Sequence, residues 1–291
     1  MGLAGTAKDT LRIVDERGYI SPSGKRVDLT DRLRRAIDGT VLYRPAELER
    51  LVADHASAAR APSAPMQLEV TSESTSQAGA RLVAVERLPH VLALNFASAK
   101  NPGGGFLGGA KAQEEDLARC SALYTCQLTQ RAYYDANRAC GSMLYTDHMI
   151  YSPDVPFFRD DGLALLDDPF DLSVLTAPAP NAGEYLRGRG RDRPLPAGRA
   201  PAGAAAALAE ALESRARMVL SVARAKQHRV LVLGAWGCGV FRNDPTFVAD
   251  VFGRHLASPA FAGEFDRVVF AIYDRSARGA TLGAFRARFP G

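Results

Sequence analysis

From Met66 onwards, short apolar runs alternate along the chain with stretches of helical periodicity. Several runs are continuously apolar rather than alternating, which is typical of strands that are buried on both faces. Strands that alternate with helices favour a layered α/β domain. The predicted strands are residues 67–71, 91–96, 148–151, 172–177, 230–233 and 268–273.

Between the strands, residues 115–138 form the longest stretch of helical periodicity, and residues 204–226 form a second one. The apolar positions of the first stretch recur at intervals of three and four residues, so a continuous helix would place them on one stripe. We expect this stripe to face the packed side of the helix. It consists of Leu117, Cys120, Ser121, Tyr124 and Leu128.

Residues 1–65 look like a helical lead-in. Residues 30–37 and 45–59 have helical periodicity, and the second of these begins with a proline, which fits the first turn of a helix. The proline-containing residues 61–65 then break the pattern. We therefore expect an N-terminal helical extension that packs on a core formed by residues 66–291, in one structural unit.

The composition is that of an ordinary globular protein, with 47% hydrophobic and 23% charged residues among 291. No apolar run approaches the roughly 18 residues of a membrane helix, and no secretory signal is visible, so we expect a cytoplasmic protein without membrane contacts. The net charge of +4 predicts only mild attraction to polyanions. The basic residues 187–201 predict a surface loop, with a polyanion contact as the alternative. Zinc-ligand spacing and a disulfide framework are both absent from Cys120, Cys126, Cys140 and Cys238.

The segment of residues 103–115, GGGFLGGAKAQEE, carries most of the chemistry that the sequence predicts. Gly103, Gly104 and Gly105 remove every Cβ from a stretch of backbone, so a ligand can approach its N–H groups closely. The segment follows the predicted strand at 91–96, and ligands of open α/β sheets bind at the carboxyl ends of strands. This position favours a ligand-binding loop. A surface loop that leads into an acidic helix start is the alternative.

A second glycine-rich loop follows another predicted strand. Residues 234–241, GAWGCGVF, come directly after the strand at 230–233. Two such loops can clasp a diphosphate from opposite sides through main-chain N–H groups, without a metal or a lysine. Neither loop is a P-loop, because no Gly-Lys-Ser/Thr follows, and the first lacks the acidic residue that a dinucleotide-binding fingerprint needs.

Two adjacent glutamates end the first loop and predict acid–base chemistry. Successive helix residues are rotated by about 100°, so Glu114 and Glu115 cannot point in the same direction once a helix has begun. Extrapolation of the apolar stripe places Gln113 and Glu114 near the packed side and turns Glu115 away from it. We expect the protein to hold one carboxylate and to offer the other to a ligand.

Together these motifs resemble the signature of the poly(ADP-ribose) glycohydrolases. The triple glycine and the Gln-Glu-Glu of that family are matched by residues 103–105 and 113–115, with seven residues between them. The segments NFASAKNP at 95–102 and GAWGCGVFRNDP at 234–245 look like the bacterial-type branch. The likeness extends from about residue 71 to residue 273. It implies a macrodomain-like, three-layer α/β/α fold with a mixed central sheet, and hydrolysis of ribose–ribose O-glycosidic bonds mainly from the chain end.

The resemblance also implies chemical roles. Glu115 would be the catalytic acid that protonates the leaving 2′ oxygen and then accepts a proton from the attacking water. Glu114 would orient the substrate by accepting hydrogen bonds from ribose hydroxyl groups, and Gln113 would help to fix the catalytic loop. No metal or cofactor is implied. The partners would be poly(ADP-ribose), ADP-ribose and poly(ADP-ribosyl)ated proteins, without sequence-specific nucleic acid.

The binding residues that the resemblance implies lie on both glycine loops. The asparagine at the terminal ribose would be Asn101 or Asn95, with Asn101 favoured because it adjoins the glycines. The residue that reads adenine would be Glu73 or Ser74. The full binding set is Asn101, Gly103, Gly104, Gly105, Phe106, Gln113, Gly237, Cys238, Gly239, Val240 and Phe241. Its two phenylalanines would pack on ribose or adenine, with a core position as the alternative.

Two other functions stay open from the sequence. One is a macrodomain that binds ADP-ribose without hydrolysing it, although such a reader does not need two glutamates beside the terminal ribose. The other is a hydrolase that removes single ADP-ribose units. Incubation with polymer and with mono-ADP-ribosylated protein separates these activities. A nicotinamide-dependent dehydrogenase is a more distant alternative, which binding of NADH would test.

Overall fold

A computed structural model describes residues 2–56, 65–188, 203–276 and 278–290. The strands are β1 (Gly18–Ile20), β2 (Arg26–Asp28), β3 (Val41–Tyr43), β4 (Gln67–Thr71), β5 (Val91–Phe96), β6 (Met149–Arg159), β7 (Leu165–Ala177), β8 (Val230–Leu233) and β9 (Arg267–Ala271). A mixed, seven-stranded sheet has the order β3-β6-β7-β5-β8-β9-β4, and β1 and β2 form a separate antiparallel pair.

Helices cover both faces of the large sheet. The residues of β5 alternate between the faces, with Leu92 and Leu94 in one apolar core and Val91 and Ala93 in the other. The resulting three-layer α/β/α architecture agrees with the expected fold. The helices are α1 (Leu3–Asp15), α2 (Thr30–Asp38), α3 (Pro45–Ala56), α4 (Thr75–Ala80), α5 (Gln113–Cys120), α6 (Leu123–Leu128), α7 (Arg131–Ala139), α8 (Ala182–Leu186), α9 (Ala204–Ala225), α10 (Pro245–Leu256) and α11 (Ala280–Arg288).

The apolar runs predicted the central strands well. The ranges of β4, β5 and β8 agree with the prediction, whereas β6 and β7 extend well beyond the predicted residues 148–151 and 172–177. Strand β5 pairs in parallel with both β7 and β8, and β8 pairs in parallel with β9. The carboxyl ends of β5 and β8 therefore lie side by side at one edge of the sheet, which is where the two glycine-rich loops begin.

The N-terminal region contains the predicted helices and, in addition, three short strands that the sequence did not predict. This region contains the pair β1 and β2, and β3 adds an antiparallel edge strand to the large sheet by pairing with β6. Strands of three residues are too short to show a period of two, so the sequence pattern did not reveal them. Helix α3 begins at the predicted proline, while residues 57–64 lie outside the described part. The division at residue 65 stays a prediction.

The predicted helix at 115–138 is divided into α5, α6 and α7. Ser121 interrupts it with an extended backbone (φ −146°, ψ −178°). Its hydroxyl donates to Leu117 O at 2.7 Å and accepts from Leu123 N at 3.2 Å, so a local side-chain hydrogen bond replaces the helical pattern. The stripe residues up to this break are buried as predicted, whereas Leu128, at the end of the separate helix α6, is exposed.

The sequence also predicted a protein without membrane contacts and a basic surface loop at residues 187–201. In the part of the chain that the structure describes, no helix combines the length and apolarity needed to cross a bilayer. Residues 189–201 of the predicted basic loop lie outside the described residues.

Candidate active site

The triple glycine turns sharply at the end of β5. Gly103 and Gly104 have φ values of 61° and 58°, in the left-handed region that favours glycine. A Cβ added at Gly104 would lie 2.3 Å from Glu115 Oε1 and 3.2 Å from Glu114 Oε2. Gly105 N donates to Glu115 Oε1 at 2.9 Å. The loop and the two carboxylates therefore converge on one point, where only a residue without a side chain fits.

Glu114 is the buried carboxylate of the pair, with an exposed fraction of 2%. Its Oε1 accepts hydrogen bonds from Asn95 Nδ2 at 3.0 Å and from Gln127 Nε2 at 2.8 Å, and its Oε2 accepts from Ser98 N at 2.6 Å. Burial raises the pKa of Glu114 to about 7, although these three donors oppose the shift and Glu115 adds to it. The expectation that the protein holds this carboxylate is confirmed.

Glu115 is less buried than Glu114, as the helical rotation predicted, and the structure shows its carboxylate in contact with the glycine loop. Gly105 N holds its Oε1, and its Oε2 has no hydrogen-bond partner in the described part of the chain. One oxygen is thus fixed in position while the other is free to exchange a proton with a ligand.

Gln113 ties the start of α5 to the sheet. Its Oε1 accepts from Phe96 N at 2.8 Å, while its Nε2 donates to Leu94 O at 2.8 Å and to Thr75 Oγ1 at 3.1 Å. The amide oxygen and the amide nitrogen of Gln113 are therefore both engaged by protein atoms. This arrangement supports fixing of the loop rather than direct contact with a ligand.

Phe106 belongs to the core behind the loop. Its ring is fully buried against Tyr124, with ring centroids 4.7 Å apart, and packs with Ala7 of α1 and Ala118 of α5. The sequence left two positions open for this side chain, one against ribose or adenine and one in the core. In the structure the side chain lies in the core. Only its main chain lies on the loop.

Helix α1 supports the loop from behind, a role that no sequence motif indicated. Thr10 Oγ1 donates to Arg119 O at 2.7 Å, and the fully buried Arg119 donates from Nη1 to Ala110 O at 2.8 Å. Ala110 N in turn donates to Gly105 O at 3.1 Å. This chain of hydrogen bonds connects the N-terminal helix to the residue that holds Glu115.

The second glycine-rich loop follows β8. Trp236 is fully buried and its Nε1 donates to Ala177 O at 3.1 Å, so this ring anchors the loop rather than covering a ligand. Gly237 has a φ of 72°, and a Cβ there would lie 2.2 Å from Asn243 Nδ2. At the tip, Val240 is 80% exposed.

The remaining residues of this loop differ in their surroundings. Burial raises the pKa of the Cys238 thiol to about 12, which disfavours thiolate chemistry. Phe241 is half-buried beside Tyr145, with ring centroids 5.8 Å apart. Gly239 is exposed, and an added Cβ would meet nothing within 4 Å. Gly239 and Val240 are thus the exposed part of this loop.

The residues between which the sequence left a choice differ in their contacts. Asn95 is fully buried and donates to Glu114, whereas Asn101 is exposed beside the glycines. Both carboxylate oxygens of Glu73 accept from Arg81 at 2.8 Å. Ser74 caps α4 and donates to Asp161. Neither candidate for reading adenine has its side chain free in this structure.

Within the described ranges, no group of three or more His, Cys, Asp or Glu side chains is arranged to hold a metal ion. The chemistry available at the site comes from the two carboxylates and the main-chain N–H groups of the loops. Fold and site together define a macrodomain-like α/β/α domain that holds a pair of carboxylates against a glycine-rich loop.

The chain belongs to the family of microbial-type PARG catalytic domains. The model of that family, "Microbial-type PARG, catalytic domain", matches residues 7–160. No curated protein matches the chain.

Solved structures extend this likeness to the whole chain. Poly(ADP-ribose) glycohydrolase from Thermomonospora curvata is 42% identical, with 99% of each chain covered and a TM-score of 0.90. The same enzyme bound to the inhibitor ADP-HPD is 41% identical over 99% of each chain, with a TM-score of 0.86. Poly(ADP-ribose) glycohydrolase from Deinococcus radiodurans, in complex with ADP-ribose, is 46% identical over 91% of this chain and 99% of that chain, with a TM-score of 0.78.

Proposed function

We propose that this protein hydrolyses the ribose–ribose O-glycosidic bonds of poly(ADP-ribose), mainly from the chain end, and releases ADP-ribose. The convergence of Glu115 and Glu114 on the surface of Gly104 is the observation that carries the proposal. A sugar ring seated on this glycine can meet both carboxylates at once. Family membership supports the same substrate.

In the proposed reaction, Glu115 protonates the leaving 2′ oxygen. Its Oε2 is the oxygen available for this transfer, because Oε1 is engaged by Gly105 N. Cleavage of the C–O bond leaves an oxocarbenium-like carbon, which water attacks while Glu115 takes back a proton. The two carboxylates are adjacent on one side of the sugar, so the separation rule for paired glycosidase carboxylates does not apply.

Glu114 has a separate role in this proposal. Its Oε2 faces the position above Gly104 and can accept a hydrogen bond from a ribose hydroxyl. The main-chain groups of Gly103 to Phe106 and of Gly237 to Phe241 would hold the ribose and the diphosphate from two sides. Asn101, as the exposed asparagine, would contact the terminal ribose.

The proposal extends to the protein's surroundings. Poly(ADP-ribosyl)ated proteins would be its partners, without sequence-specific nucleic acid. A reducing cytoplasm would be its compartment, which the four free cysteines, Cys120, Cys126, Cys140 and Cys238, support.

The test is the variant Glu115→Gln, which keeps the shape and the acceptor oxygen but cannot act as an acid. We expect release of ADP-ribose from purified polymer to fall by about 1000-fold, the scale of a lost general acid. The Kd for ADP-ribose, measured by calorimetry, should stay within about threefold. Glu210→Gln is the matched control, because it removes one exposed carboxylate of α9.

Near-normal turnover by Glu115→Gln would overturn the assignment of the acid. Binding of ADP-ribose by the wild-type protein without any hydrolysis would favour the non-catalytic reader. Release of ADP-ribose from mono-ADP-ribosylated protein but not from polymer would favour the single-unit hydrolase.

A further inference from the structure

Gln127 of α6 joins the two parts of the candidate site, although it lies 13 positions after Glu114 and 24 after Gly103 in the chain. The residue is fully buried. Its side chain contacts Gly103 N at 2.8 Å and Glu114 Oε1 at 2.8 Å, and Thr176 Oγ1 lies 3.4 Å from its Nε2. A single amide group therefore connects the glycine loop to the buried carboxylate.

The direction of this amide follows from its partners. The main-chain N–H of Gly103 can only donate, so the atom that it meets must be the oxygen of Gln127. The NH₂ group then faces Glu114. In this orientation the Glu114 oxygen must accept, which makes the ionised carboxylate the better partner.

The contacts also decide which oxygen of Glu114 faces the site. Oε1 is held inward by the two amide donors of Asn95 and Gln127. Oε2 accepts from Ser98 N and lies 3.2 Å from the position that a Cβ of Gly104 would occupy. Because the two carboxylate oxygens are equivalent, a half turn restores this arrangement, whereas a partial rotation would weaken both amide hydrogen bonds.

We propose that Gln127 is a positioning residue, which fixes the Glu114 carboxylate with Oε2 towards the substrate and locks Gly103 to it. This inference rests on the proposed hydrolysis for its kinetic effect. The geometry that it describes exists without substrate, and it can be measured separately.

The first variant is Gln127→Met, which keeps the length of the side chain but removes both hydrogen bonds. We expect kcat for polymer hydrolysis to fall by about 10- to 100-fold, the scale of a lost hydrogen bond to a charged group. Loss of a donor also disfavours ionised Glu114. The kcat of Gln127→Met divided by the kcat of the wild type should therefore rise with pH.

The second variant is Gln127→Glu, which keeps the acceptor for Gly103 but places a carboxyl group against Glu114. This variant guards against a general packing defect, because its side chain has the same shape. The new carboxyl can donate to Glu114 only when it is protonated, so the ratio of its kcat to that of the wild type should rise as pH falls. Among the described residues, the other titratable groups that interact electrostatically with Glu114 are Glu115, Tyr133 and Tyr134. These groups are present in every variant.

Opposite slopes for the two variants support the proposal, whereas a purely structural role would give parallel pH profiles. Gln130→Met is the matched control, because Gln130 Nε2 donates to Thr40 O at 3.0 Å outside the glutamate network. Its kcat should stay within about twofold of the wild type. Parallel profiles, or a kcat of Gln127→Met within about twofold of the wild type, would overturn the role of Gln127.

Failure of the proposed function can be distinguished from failure of the proposal for Gln127. If the wild-type protein releases no ADP-ribose from polymer, that function fails, and Gln127 is then tested by NMR and infrared spectroscopy. We expect Gln127→Met to shift the Gly103 amide proton resonance and to raise the pH at which the Glu114 carboxyl band titrates. An unchanged resonance and an unchanged titration would overturn the positioning role.

Discussion

The two glycine-rich loops leave neighbouring parallel strands at the same edge of the sheet, yet they are held in different ways. Side chains from other elements hold the first loop: Gln127 binds Gly103 N, and Glu115 binds Gly105 N. The second loop closes largely on its own main chain, as in the hydrogen bond from Arg242 N to Gly239 O at 3.1 Å.

This difference fits the two separate tasks that we propose for the loops. A reacting group must be held within a fraction of an ångström, which favours the rigid, cross-linked surroundings of the first loop. A loop that grips a ligand can instead keep exposed main chain and apolar surface, as at the tip formed by Gly239 and Val240. The comparison predicts that equal substitutions in the two loops have unequal effects.

The strongest test exchanges one glycine for alanine in the first loop. In Gly104→Ala, the new Cβ would lie 2.3 Å from Glu115 Oε1, and the φ of 58° would be strained. Because the acid must move away, we expect turnover of polymer to fall by about 1000-fold. A purified variant with more than about one tenth of wild-type turnover would contradict the convergence of loop and acids.

The matched substitution in the second loop is Gly239→Ala, where an added Cβ meets nothing within 4 Å. We expect its Tm to stay within about 2 °C of the wild type, since surface changes rarely exceed about 0.5 kcal/mol. If the diphosphate approaches this main chain, the Kd for ADP-ribose should rise by about tenfold, because one lost hydrogen bond has that scale. An unchanged Kd would break the idea that both loops hold the ligand.

A further test concerns Glu114, whose pKa rises from its ordinary 4.5 to about 7 on burial. The folded protein then binds more protons than the unfolded chain between these pH values, so this residue lowers the stability as pH rises from 4.5 to 7. Relative to Glu114→Gln, the free energy of unfolding of the wild type should decrease by up to about 3 kcal/mol across this window. Urea unfolding at several pH values measures the difference.

The comparison of the wild type with Glu114→Gln can also contradict the predicted pH dependence. Above pH 7 the wild type and Glu114→Gln should show a constant difference in unfolding free energy, because Glu114 is then ionised in both the folded and the unfolded states. A constant difference already between pH 5 and pH 7 would mean that burial does not control this carboxylate. Histidines and surface carboxylates are present in both proteins, so the subtraction removes their contribution.

The smallest expected effect lies far from the glutamates along the chain. Thr10→Val removes two buried hydrogen bonds, the one that Thr10 Oγ1 donates to Arg119 O and the one that it accepts from Arg159 Nε at 3.3 Å, which should cost about 1–2 kcal/mol of unfolding free energy. If α1 supports the first loop, kcat should also fall by about two- to fivefold. Thr10→Ser keeps the hydroxyl and should behave like the wild type. Loss of stability without any change in kcat would confine α1 to a structural role.

Much of the fold could be predicted because the central strands are buried on both faces. Continuous apolar runs such as Val230–Leu233 can be recognised without knowledge of their neighbours. The deeper burial of Glu114 relative to Glu115 followed from the rotation of about 100° between successive helix residues. Strand β3 was missed because three residues at a sheet edge carry no recognisable period, and the break at Ser121 was missed because it depends on a local side-chain hydrogen bond.

The supporting residues of the site escaped prediction for another reason. Gln127 reads as an ordinary helical glutamine, and Thr10 lies 109 positions before its partner Arg119. Their contacts depend on tertiary packing and leave no local pattern. A buried glutamine near a predicted carboxylate is a signal only once the fold is known.

The start of α1 has a practical consequence for anyone handling this protein. A side-chain carbon added at Gly109 would lie 3.3 Å from Ala4 N, so the first turn of the helix touches the loop that leads to the glutamates. Any polypeptide joined ahead of this turn, such as an affinity tag or a fusion partner, therefore starts close to the loop that leads to the glutamates. Tags for kinetic work therefore belong at the other end of the chain, where α11 packs on α10 and β4.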